Sequence, residues 1–564
     1  MLERVPMRCG WIGWLVLLGT GGALACGGGG SGDPDTGPVE TPDAGFDTGS
    51  PQDAGVDAGP SFQPGPYGDN YHDRVGPFVA PTLGGSLDFE TAFTGEDHFL
   101  FSLFLQGNAY SEQLWTGSIL EYPLEDAPPN THFVFLAALD PDGTDRATEH
   151  VTAMRDRFET LFTERPDLAP WRERLHFVTT AAQNLDGALG AHFRMRPALA
   201  FGIDRDQRWR PTGLLASPTG GLSTAQLAYL ATEAVLWEFE HGRDTELARL
   251  DALHGVNEVV LFDGDRAGGG WGDDTGVEVT LDLPDAATMA TYDTLEIEHA
   301  TYCEDHDPSK CWEWDRISNL RLCDEDSCDV ELARWITTYG RDGRWVTDAS
   351  HALAFLQEGG SRRFRWDGSV TRTMDESVDR RYVVHVTLRL SNRGKADRAF
   401  AATPVFTGGR FDETYNDRQT PVSFTPPEGA TRVELVTLIT GHGFGAESSN
   451  CAEFCNHTHH FSLNGTEAAV QTNERANDNR GCARLVSSGV IPNQYGTWPF
   501  GRAGWCPGHD VPAWSTSLDA RLGESNELVY QGGLAGTIPY VPDVTMPDGY
   551  RAEISLSAWL VYYR

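Results

Sequence analysis

The strongest constraint on the fold is a period of two in the apolar residues, which runs from about Asn257 to the C-terminus. Three stretches show it: Val277, Val279, Leu281 and Leu283; Leu295 and Ile297; and Ile554, Leu556, Leu560 and Tyr562. Successive side chains of a β-strand point to opposite faces of the sheet, so this period predicts strands. Because no long helical segment interrupts them, we expect all-β antiparallel sandwiches or barrels, and the length allows two.

Residues 87–256 follow a different pattern, in which strand-like runs alternate with helical ones. Runs rich in Phe, Leu and Val predict strands at His98–Leu105, Thr131–Leu139 and Leu175–Thr180. Helical spacing connects the last two runs through Val151, Met154, Phe158 and Leu161. Ser223 and Gln226 resemble a capping box for a helix over Thr224–Phe239. This order predicts an α/β domain.

The run from Ala200 to Arg205, followed by polar residues and Trp209, makes this domain similar to the thioredoxin-like fold. The position of that family's redox Cys pair is occupied by the segment 107–112, which contains no Cys. No Cys occurs between Gly27 and Tyr302, so thiol exchange is chemically impossible in this domain. We expect an interaction or spacing module, with an unrecognised ligand site as the alternative.

The chain is strongly acidic, with 43 basic and 82 acidic side chains and a formal net charge of −39. This excess of carboxylates repels the phosphates of nucleic acids and anionic lipid headgroups. The charge therefore argues against any binding driven by phosphate contacts.

The N-terminal residues 1–26 have the pattern of a secretory signal, with Arg4 and Arg8 before an apolar stretch and a run of small residues. The tetrad Ala-Leu-Ala-Cys that ends at Cys26 resembles a bacterial lipobox, which implies acylation of Cys26. We expect an exported outer-membrane lipoprotein, on the periplasmic or cell-surface side, and a monomer; a soluble secreted protein is the alternative. Residues 27–86 are expected to be a disordered acidic linker, because most of them are Gly, Pro, Asp, Ser and Thr.

Ten Cys are present, and setting aside Cys9 and Cys26 leaves eight. An even number of Cys in an exported protein predicts disulfides. The local spacings suggest four pairs: Cys303 with Cys311, Cys323 with Cys328, Cys451 with Cys455, and Cys482 with Cys506. A structural zinc site is the alternative, since two of the pairs are closely spaced.

Several separate motifs in the β-rich half resemble the bacterial peptide-N-glycosidase F family, whose fold is two eight-stranded jelly rolls. The runs CWEWDR at 311–316 and RWIT at 334–337 are similar to its first jelly roll. The runs GHG at 441–443, CAEFC at 451–455 and RAGWCPG at 502–508 are similar to its second. Because the motifs occur in the family's order, the resemblance extends over about residues 257–564. It implies a first jelly roll over residues 257–395 and a second over residues 396–564.

The resemblance implies hydrolysis of the amide between Asn and the innermost N-acetylglucosamine of an N-linked glycan, without a metal or other cofactor. It implies that Asp315 is the essential acid and Glu453 the second acid. Arg316 and Arg502 correspond to the sugar-contacting Arg residues. The expected partner is an N-linked glycoprotein or glycopeptide substrate.

Amide hydrolysis gives this set of residues an independent rationale. The reaction needs a deprotonated water, stabilisation of the oxyanion and a proton for the leaving nitrogen. Two carboxylates from different domains can share a proton, so that one acts as base while the other holds or donates it. Disulfides that flank Asp315 and Glu453 would hold both loops in a fixed geometry.

The sequence departs from the family pattern at four positions around the expected cleft. The third family acid, usually Glu, is Asp367, and the Trp two residues later is Ser369. The Trp of the Gly-Trp-Gly turn is His442, and the His that follows it by two residues is Phe444. We count Asp367 as a secondary catalytic residue and His442 and Trp505 as substrate-binding residues. The departures favour a changed glycan specificity, with loss of activity as the alternative.

Structural roles are the alternative for each of these residues. Asp315 alone is typical of a turn or an Arg-paired acid, and Glu453 alone is typical of an exposed loop residue. Trp312, Trp314 and Trp505 suit the core or edge of a sandwich, although an aromatic face can also stack on a sugar ring.

Two other functions are compatible with paired jelly rolls. One is a carbohydrate-binding or adhesion protein without turnover. The other is copper-dependent monooxygenase chemistry, because imidazole is a copper ligand and four His occur close together: His442, His457, His459 and His460. Strand geometry argues against convergence on one metal, since His457 and His459 are expected on one face and His460 on the other.

Overall fold

The computed structural model describes residues 62–216, 226–267, 276–306, 310–312, 314–368, 381–443, 451–540 and 552–564. The signal sequence, Cys26, Ser223, Ser369 and Phe444 lie outside these residues. Among the described residues, no helix is both long and apolar enough to cross a membrane.

In the part of the N-terminal domain that the structure describes, five strands form a mixed sheet. Its elements are β1 (Val79–Thr82), β2 (Gly85–Asp88), α1 (Phe89–Ala92), β3 (His98–Phe104), α2 (Ala109–Glu112), α3 (Glu121–Asp126), β4 (Thr131–Ala137), α4 (Ala147–Glu164), β5 (Leu175–Phe177), α5 (Gly187–Met195), β6 (Ala200–Ile203), β7 (Trp209–Pro211) and α6 (Leu227–His254). The sheet order is β5-β4-β3-β6-β7, with β3, β4 and β5 parallel and the last two strands antiparallel. Helices cover both faces of β3 and β4, which explains their continuous apolar runs.

The three strands and the helix α4 expected in this domain are present, so its α/β class agrees with the sequence pattern. The likeness to the thioredoxin-like fold stays a prediction. Helix α6 continues to His254, beyond the expected end at Phe239. Its first half is almost entirely buried, whereas its polar second half is largely exposed and therefore lacks the apolar period by which a helix is recognised.

The folded chain begins before residue 87, within the range expected to be a linker. Val75 and Phe78 are buried, and β1 pairs with β2 in an antiparallel hairpin. These apolar side chains join the core of the N-terminal domain, next to Phe89 and Phe101. Their burial supplies the hydrophobic stabilisation that a solvated linker lacks.

The first β-sandwich has eight strands among its described residues, arranged in two antiparallel sheets. Its elements are β8 (Asn257–Ala267), β9 (Val277–Asp285), α7 (Ala286–Met289), β10 (Thr294–Tyr302), β11 (Ile317–Cys323), β12 (Val330–Ile336), β13 (Gly343–Asp348), α8 (Leu353–Leu356), β14 (Gly359–Gly368) and β15 (Tyr382–Ser391). The sheet orders β13-β10-β15-β8 and β12-β11-β14-β9 are those of a jelly roll.

The second sandwich repeats this topology. Its strands are β16 (Ala399–Arg410), β17 (Val422–Phe424), β18 (Arg432–His442), β19 (His457–Leu463), β20 (Thr466–Gln471), β21 (His509–Asp510), β22 (Trp514–Leu518), β23 (Asn526–Leu534) and β24 (Glu553–Tyr563). The sheets are β16-β24-β18-β22 and β17-β23-β19-β20. The short strand β21 instead pairs with β12 of the first jelly roll. The connection between β20 and β22 therefore reaches across to the neighbouring domain.

A buried ion pair links the two jelly rolls. Arg334 on β12 binds Glu331 of the same strand through two hydrogen bonds of 2.8 Å. The same guanidinium donates to Thr440 Oγ1 at 2.9 Å and to the carbonyl of Ser555 at 2.7 Å, on β18 and β24. Ser557 on β24 donates to Glu331 Oε2 at 2.5 Å. These bonds fix the relative position of the two sandwiches.

Four disulfides hold the loops of this half of the chain, in the pairing that the spacings suggested. They join Cys303 with Cys311, Cys323 with Cys328, Cys451 with Cys455, and Cys482 with Cys506. The first closes a loop just before Asp315, and the third encloses Glu453.

Candidate active site

Asp315 lies in the segment that leads into β11. This segment is tied to the end of β12, because the N–H of Arg316 donates to Thr337 Oγ1 at 3.0 Å and the N–H of Thr337 donates to the carbonyl of Arg316 at 2.8 Å. Trp314 adopts a left-handed backbone conformation with φ of 70°. Such a conformation is uncommon for a residue other than Gly, so the surrounding contacts must hold it. The side chain of Asp315 is partly exposed.

Glu453 lies inside the disulfide loop of the second jelly roll. Its N–H donates to the carbonyl of Gly443 at 3.0 Å, just past the end of β18. Its own carbonyl accepts from the N–H of Ala503 at 2.8 Å. The loop is therefore held from both sides by main-chain bonds, and the side chain of Glu453 is only 18% exposed.

Arg502 joins the two carboxylates. Its Nε lies 3.2 Å from Glu453 Oε1, and its Nη2 lies 3.8 Å from Asp315 Oδ2. The guanidinium also donates to the carbonyls of Thr497 and Phe500, at 3.1 and 2.9 Å, and to Thr497 Oγ1 at 3.0 Å. At 4% exposure, Arg502 is buried and most of its donors are used. One acid from each jelly roll thus lies beside the same cation.

Burial raises the pKa of Glu453 above its ordinary value of 4.5. The positive charge of Arg502 opposes this rise, and the negative charge of Asp315 adds to it. Glu453 therefore holds its proton more tightly than a solvated Glu does.

Aromatic rings surround this group of charges. Phe454 and Trp505 lie against the guanidinium of Arg502, with ring centroids 5.1 and 4.8 Å from Cζ. Trp505 is buried and donates its indole N–H to the carbonyl of Gly441 at 2.6 Å. Its ring stacks on His442 at 5.0 Å. Trp505 is therefore positioned to pack on Arg502 and His442, in agreement with a structural role.

A second aromatic group is accessible from solvent. Trp314 is 51% exposed and stacks on Tyr339, with ring centroids 5.4 Å apart and an angle of 16° between the planes. Tyr339 in turn contacts Tyr495 of the second jelly roll at 5.3 Å. Trp312, in contrast, is buried. Of the two Trp residues before Asp315, only Trp314 offers a face for stacking.

His442 is held as a neutral imidazole. Thr440 Oγ1 accepts from Arg334 and forms a second hydrogen bond of 2.8 Å with His442 Nε2. Burial and the nearby charge of Arg334 lower the pKa of His442 to about 3. His442 therefore carries no charge at neutral pH.

The region of the chain that forms the second jelly roll matches a family described as peptide-N-glycosidase F, C-terminal, over residues 410–562. A relative from Elizabethkingia miricola, peptide-N(4)-(N-acetyl-β-D-glucosaminyl)asparagine amidase F, is 26% identical over 292 residues, which is 46% of this chain and 75% of the relative. The second jelly roll of this chain is therefore similar to the C-terminal domain of peptide-N-glycosidase F.

Solved structures from the peptide-N-glycosidase F family also match. One is PNGase F, called a glycosylasparaginase, from Flavobacterium meningosepticum, at 19% identity over 54% of this chain and 95% of its own, with a TM-score of 0.42. Another, a peptide-N(4)-(N-acetyl-β-D-glucosaminyl)asparagine amidase, is 20% identical and covers 55% of this chain and 96% of its own, with a TM-score of 0.45.

Asp367, the expected third acid of the peptide-N-glycosidase F pattern, lies near the end of β14. It accepts from Arg365 Nε at 2.7 Å and lies 3.8 Å from Arg321 Nε. In the register of the sheet, Asp367 is opposite Asn319, four residues beyond Asp315. Asp367 and Asp315 therefore lie at the same end of this sheet, but the ion pairs of Asp367 are with different Arg residues.

The sequence did not single out Thr497, Tyr339 or Tyr495. Only in the folded chain does Thr497 contact Arg502, Tyr339 contact Trp314 and Tyr495 contact Tyr339, and none of the three belongs to a motif with a chemical signature. Tyr495 and Thr497 lie close together in the connection between β20 and β22. The length of this connection was the one sequence feature that could have indicated a role for these two residues in the site.

His457 and His459 lie on one face of β19 and His460 on the other, as strand geometry predicted. His457 Nδ1 is 2.7 Å from His459 Nε2, and His459 Nδ1 is 2.8 Å from the hydroxyl of Tyr530, all in the core. His460 instead contacts Glu467 at 3.0 Å on the other face of β19. Within the described ranges, no three His, Cys, Asp or Glu side chains are grouped so as to hold a metal ion.

Proposed function

We propose that this protein hydrolyses the amide bond between Asn and the innermost N-acetylglucosamine of N-linked glycans. The observation that carries the proposal is the position of two carboxylates, one from each jelly roll, on either side of Arg502. The relative from Elizabethkingia miricola, an amidase of this name, supports the same reaction.

In the proposed reaction, Asp315 accepts a proton from a water as the water oxygen attacks the amide carbonyl carbon. Asp315 Oδ2 lies 3.8 Å from Arg502 Nη2, which exceeds hydrogen-bond length, so Arg502 Nη2 does not occupy this oxygen with a hydrogen bond. Glu453, whose pKa is raised, holds a proton and donates it to the nitrogen as the C–N bond breaks. The products are Asp and a glycosylamine, and no step requires a metal or a cofactor.

Arg502 has a different role here from the sugar contact that the resemblance implied. Because its donors are directed to Glu453, Thr497 and Phe500, we assign it to holding the carboxylates in place. Arg316 and the exposed face of Trp314 are the proposed contacts of the sugars nearest the amide.

The test is release of glycan from a denatured N-glycoprotein, read together with conversion of the glycosylated Asn to Asp by mass spectrometry. Asp315→Asn should lower the rate at least about 100-fold, because the proton acceptor is lost. Asp326→Asn is the matched control, since Asp326 is an exposed acid in the Cys323–Cys328 loop of the same jelly roll. Equal rates for wild type and Asp315→Asn would refute the assignment.

Carbohydrate binding without turnover is the second candidate, because the exposed Trp314 ring and its neighbour Tyr339 suit a sugar-binding surface. Isothermal titration with a glycopeptide separates the two functions. Binding of the glycopeptide by wild-type protein without any release of glycan would favour the lectin. An oxidase activity that is restored only by added copper would favour the metal hypothesis.

We also propose that the protein is an exported lipoprotein of the outer membrane, acylated at Cys26. Incorporation of labelled palmitate in a bacterial host tests this, and Cys26→Ala should remove the label. Labelling of the variant would refute the assigned anchor.

A further inference from the structure

Glu233, on helix α6 of the N-terminal domain, is fully buried, and its carboxylate binds residues of both jelly rolls. Arg341, between β12 and β13, donates from Nη1 to Glu233 Oε1 at 2.9 Å. Asn493, in the connection between β20 and β22, donates from Nδ2 to the same oxygen at 2.7 Å. A single side chain of the N-terminal domain thus joins three domains.

Main-chain bonds reinforce this junction. The N–H of Leu214 donates to the carbonyl of Asn493 at 2.7 Å, and Asn493 Nδ2 also donates to the carbonyl of Tyr229. Asn493 has a left-handed backbone with φ of 52°, a conformation that Asn tolerates better than most residues. Tyr229 packs against Trp498 at 5.3 Å. The segment 491–498 therefore rests directly on the N-terminal domain.

From this junction, contacts continue to the proposed active site by two short routes. In the first, the N–H of Tyr339 donates to Gln494 Oε1 at 2.7 Å, and Tyr339 stacks on Trp314, the residue before Asp315. In the second, the segment continues from Asn493 to Thr497, whose carbonyl and hydroxyl bind Arg502.

We propose that Glu233 is a positioning residue for the amidase site, so that the N-terminal domain is an integral part of the catalytic unit. Glu233 holds the segments 338–342 and 491–498 in fixed relative positions. These segments in turn place Trp314 and Arg502 beside the two acids. A buried carboxylate must keep its hydrogen-bonding partners, so the residues at this junction can shift little relative to one another. This inference rests on the proposed function.

The experiment compares Glu233→Gln with Asp244→Asn. Gln keeps the size of the side chain but removes the charge that pairs with Arg341. Asp244 is also on α6 and forms an ion pair of 2.9 Å with Arg344 of the first jelly roll, away from the segment 491–498. The control therefore removes an interdomain ion pair from the same helix without touching the proposed route.

Two measurements are made on each folded variant: kcat and KM for glycopeptide hydrolysis, and backbone amide exchange over residues 491–502. For Glu233→Gln we expect kcat to fall about 10- to 100-fold, with KM changed less than about threefold, and faster exchange in this segment. Asp244→Asn should leave kcat and the exchange of this segment unchanged. If Glu233→Gln does not fold, Arg341→Lys, which keeps the charge but not the guanidinium geometry, replaces it.

Unchanged kcat in Glu233→Gln would overturn the inference, and so would an equal loss in Asp244→Asn. Failure of the proposed function gives a different result, because the wild-type protein would then release no glycan. In that case, exchange decides whether Glu233 controls the segment 491–502, and unchanged exchange overturns the inference.

Discussion

At the scale of single residues, the site consists of two acids and one shared cation. The charge of Arg502 favours the ionised form of Glu453, whereas burial and the charge of Asp315 favour its protonated form. The motifs around Asp315, Glu453 and Arg502 were sufficient to select these residues from the sequence. The hydrogen-bonding partners of Arg502 could not be predicted from the sequence, because two of them are the main-chain carbonyls of Thr497 and Phe500.

The raised pKa of Glu453 predicts a pH-dependent stability. Glu453 binds its proton more tightly in the folded protein than in the unfolded chain, so its contribution is full below about pH 4.5 and is lost as pH rises through the folded pKa. Each pKa unit by which folded and unfolded Glu453 differ corresponds to about 1.4 kcal/mol in the free energy of unfolding. Thermal unfolding of wild type and Glu453→Gln between pH 4 and pH 8 should show the wild type losing stability relative to the variant as pH rises. A constant difference would contradict the raised pKa.

At the scale of elements, the alternating apolar pattern predicted the strands near residues 277, 295 and 554 because alternation is a local property of each strand. The second half of α6 was missed, since its exposed polar residues carry no apolar period. Strand β21 was missed for another reason: two residues form it, and only pairing with β12 makes them a strand.

The two smallest disulfide loops give a matched pair of variants. Cys451→Ser/Cys455→Ser opens the loop that holds Glu453, and Cys323→Ser/Cys328→Ser opens a loop of similar length without a candidate catalytic residue. Because the loops are similar in length, both changes should lower the free energy of unfolding by about 2 kcal/mol. Only the first should lower kcat, by about 10-fold or more, because it releases Glu453. Equal effects on kcat would show that the 451–455 disulfide has no specific role in positioning.

At the scale of the whole molecule, the relative position of the jelly rolls depends on the buried pair of Arg334 and Glu331. Arg334→Met leaves Glu331 as an uncompensated buried charge and should cost about 3–5 kcal/mol of stability. Glu331→Leu combined with Arg334→Met removes both charges and should recover part of that loss. Urea unfolding measures both variants. A double variant less stable than Arg334→Met would indicate that the hydrogen bonds to the second jelly roll, and not the charge balance, dominate.

The sequence by itself determined the strand-rich architecture, the disulfide pairing and the identity of the two candidate acids, because periodicity, Cys spacing and motifs are local properties of the chain. Only the tertiary structure decided that Arg502 lies between the acids and that Glu233 contacts both jelly rolls. Glu233 and Asn493 are separated by 260 residues. Contacts over such a separation depend on how whole domains pack together, and no local pattern of residues specifies them.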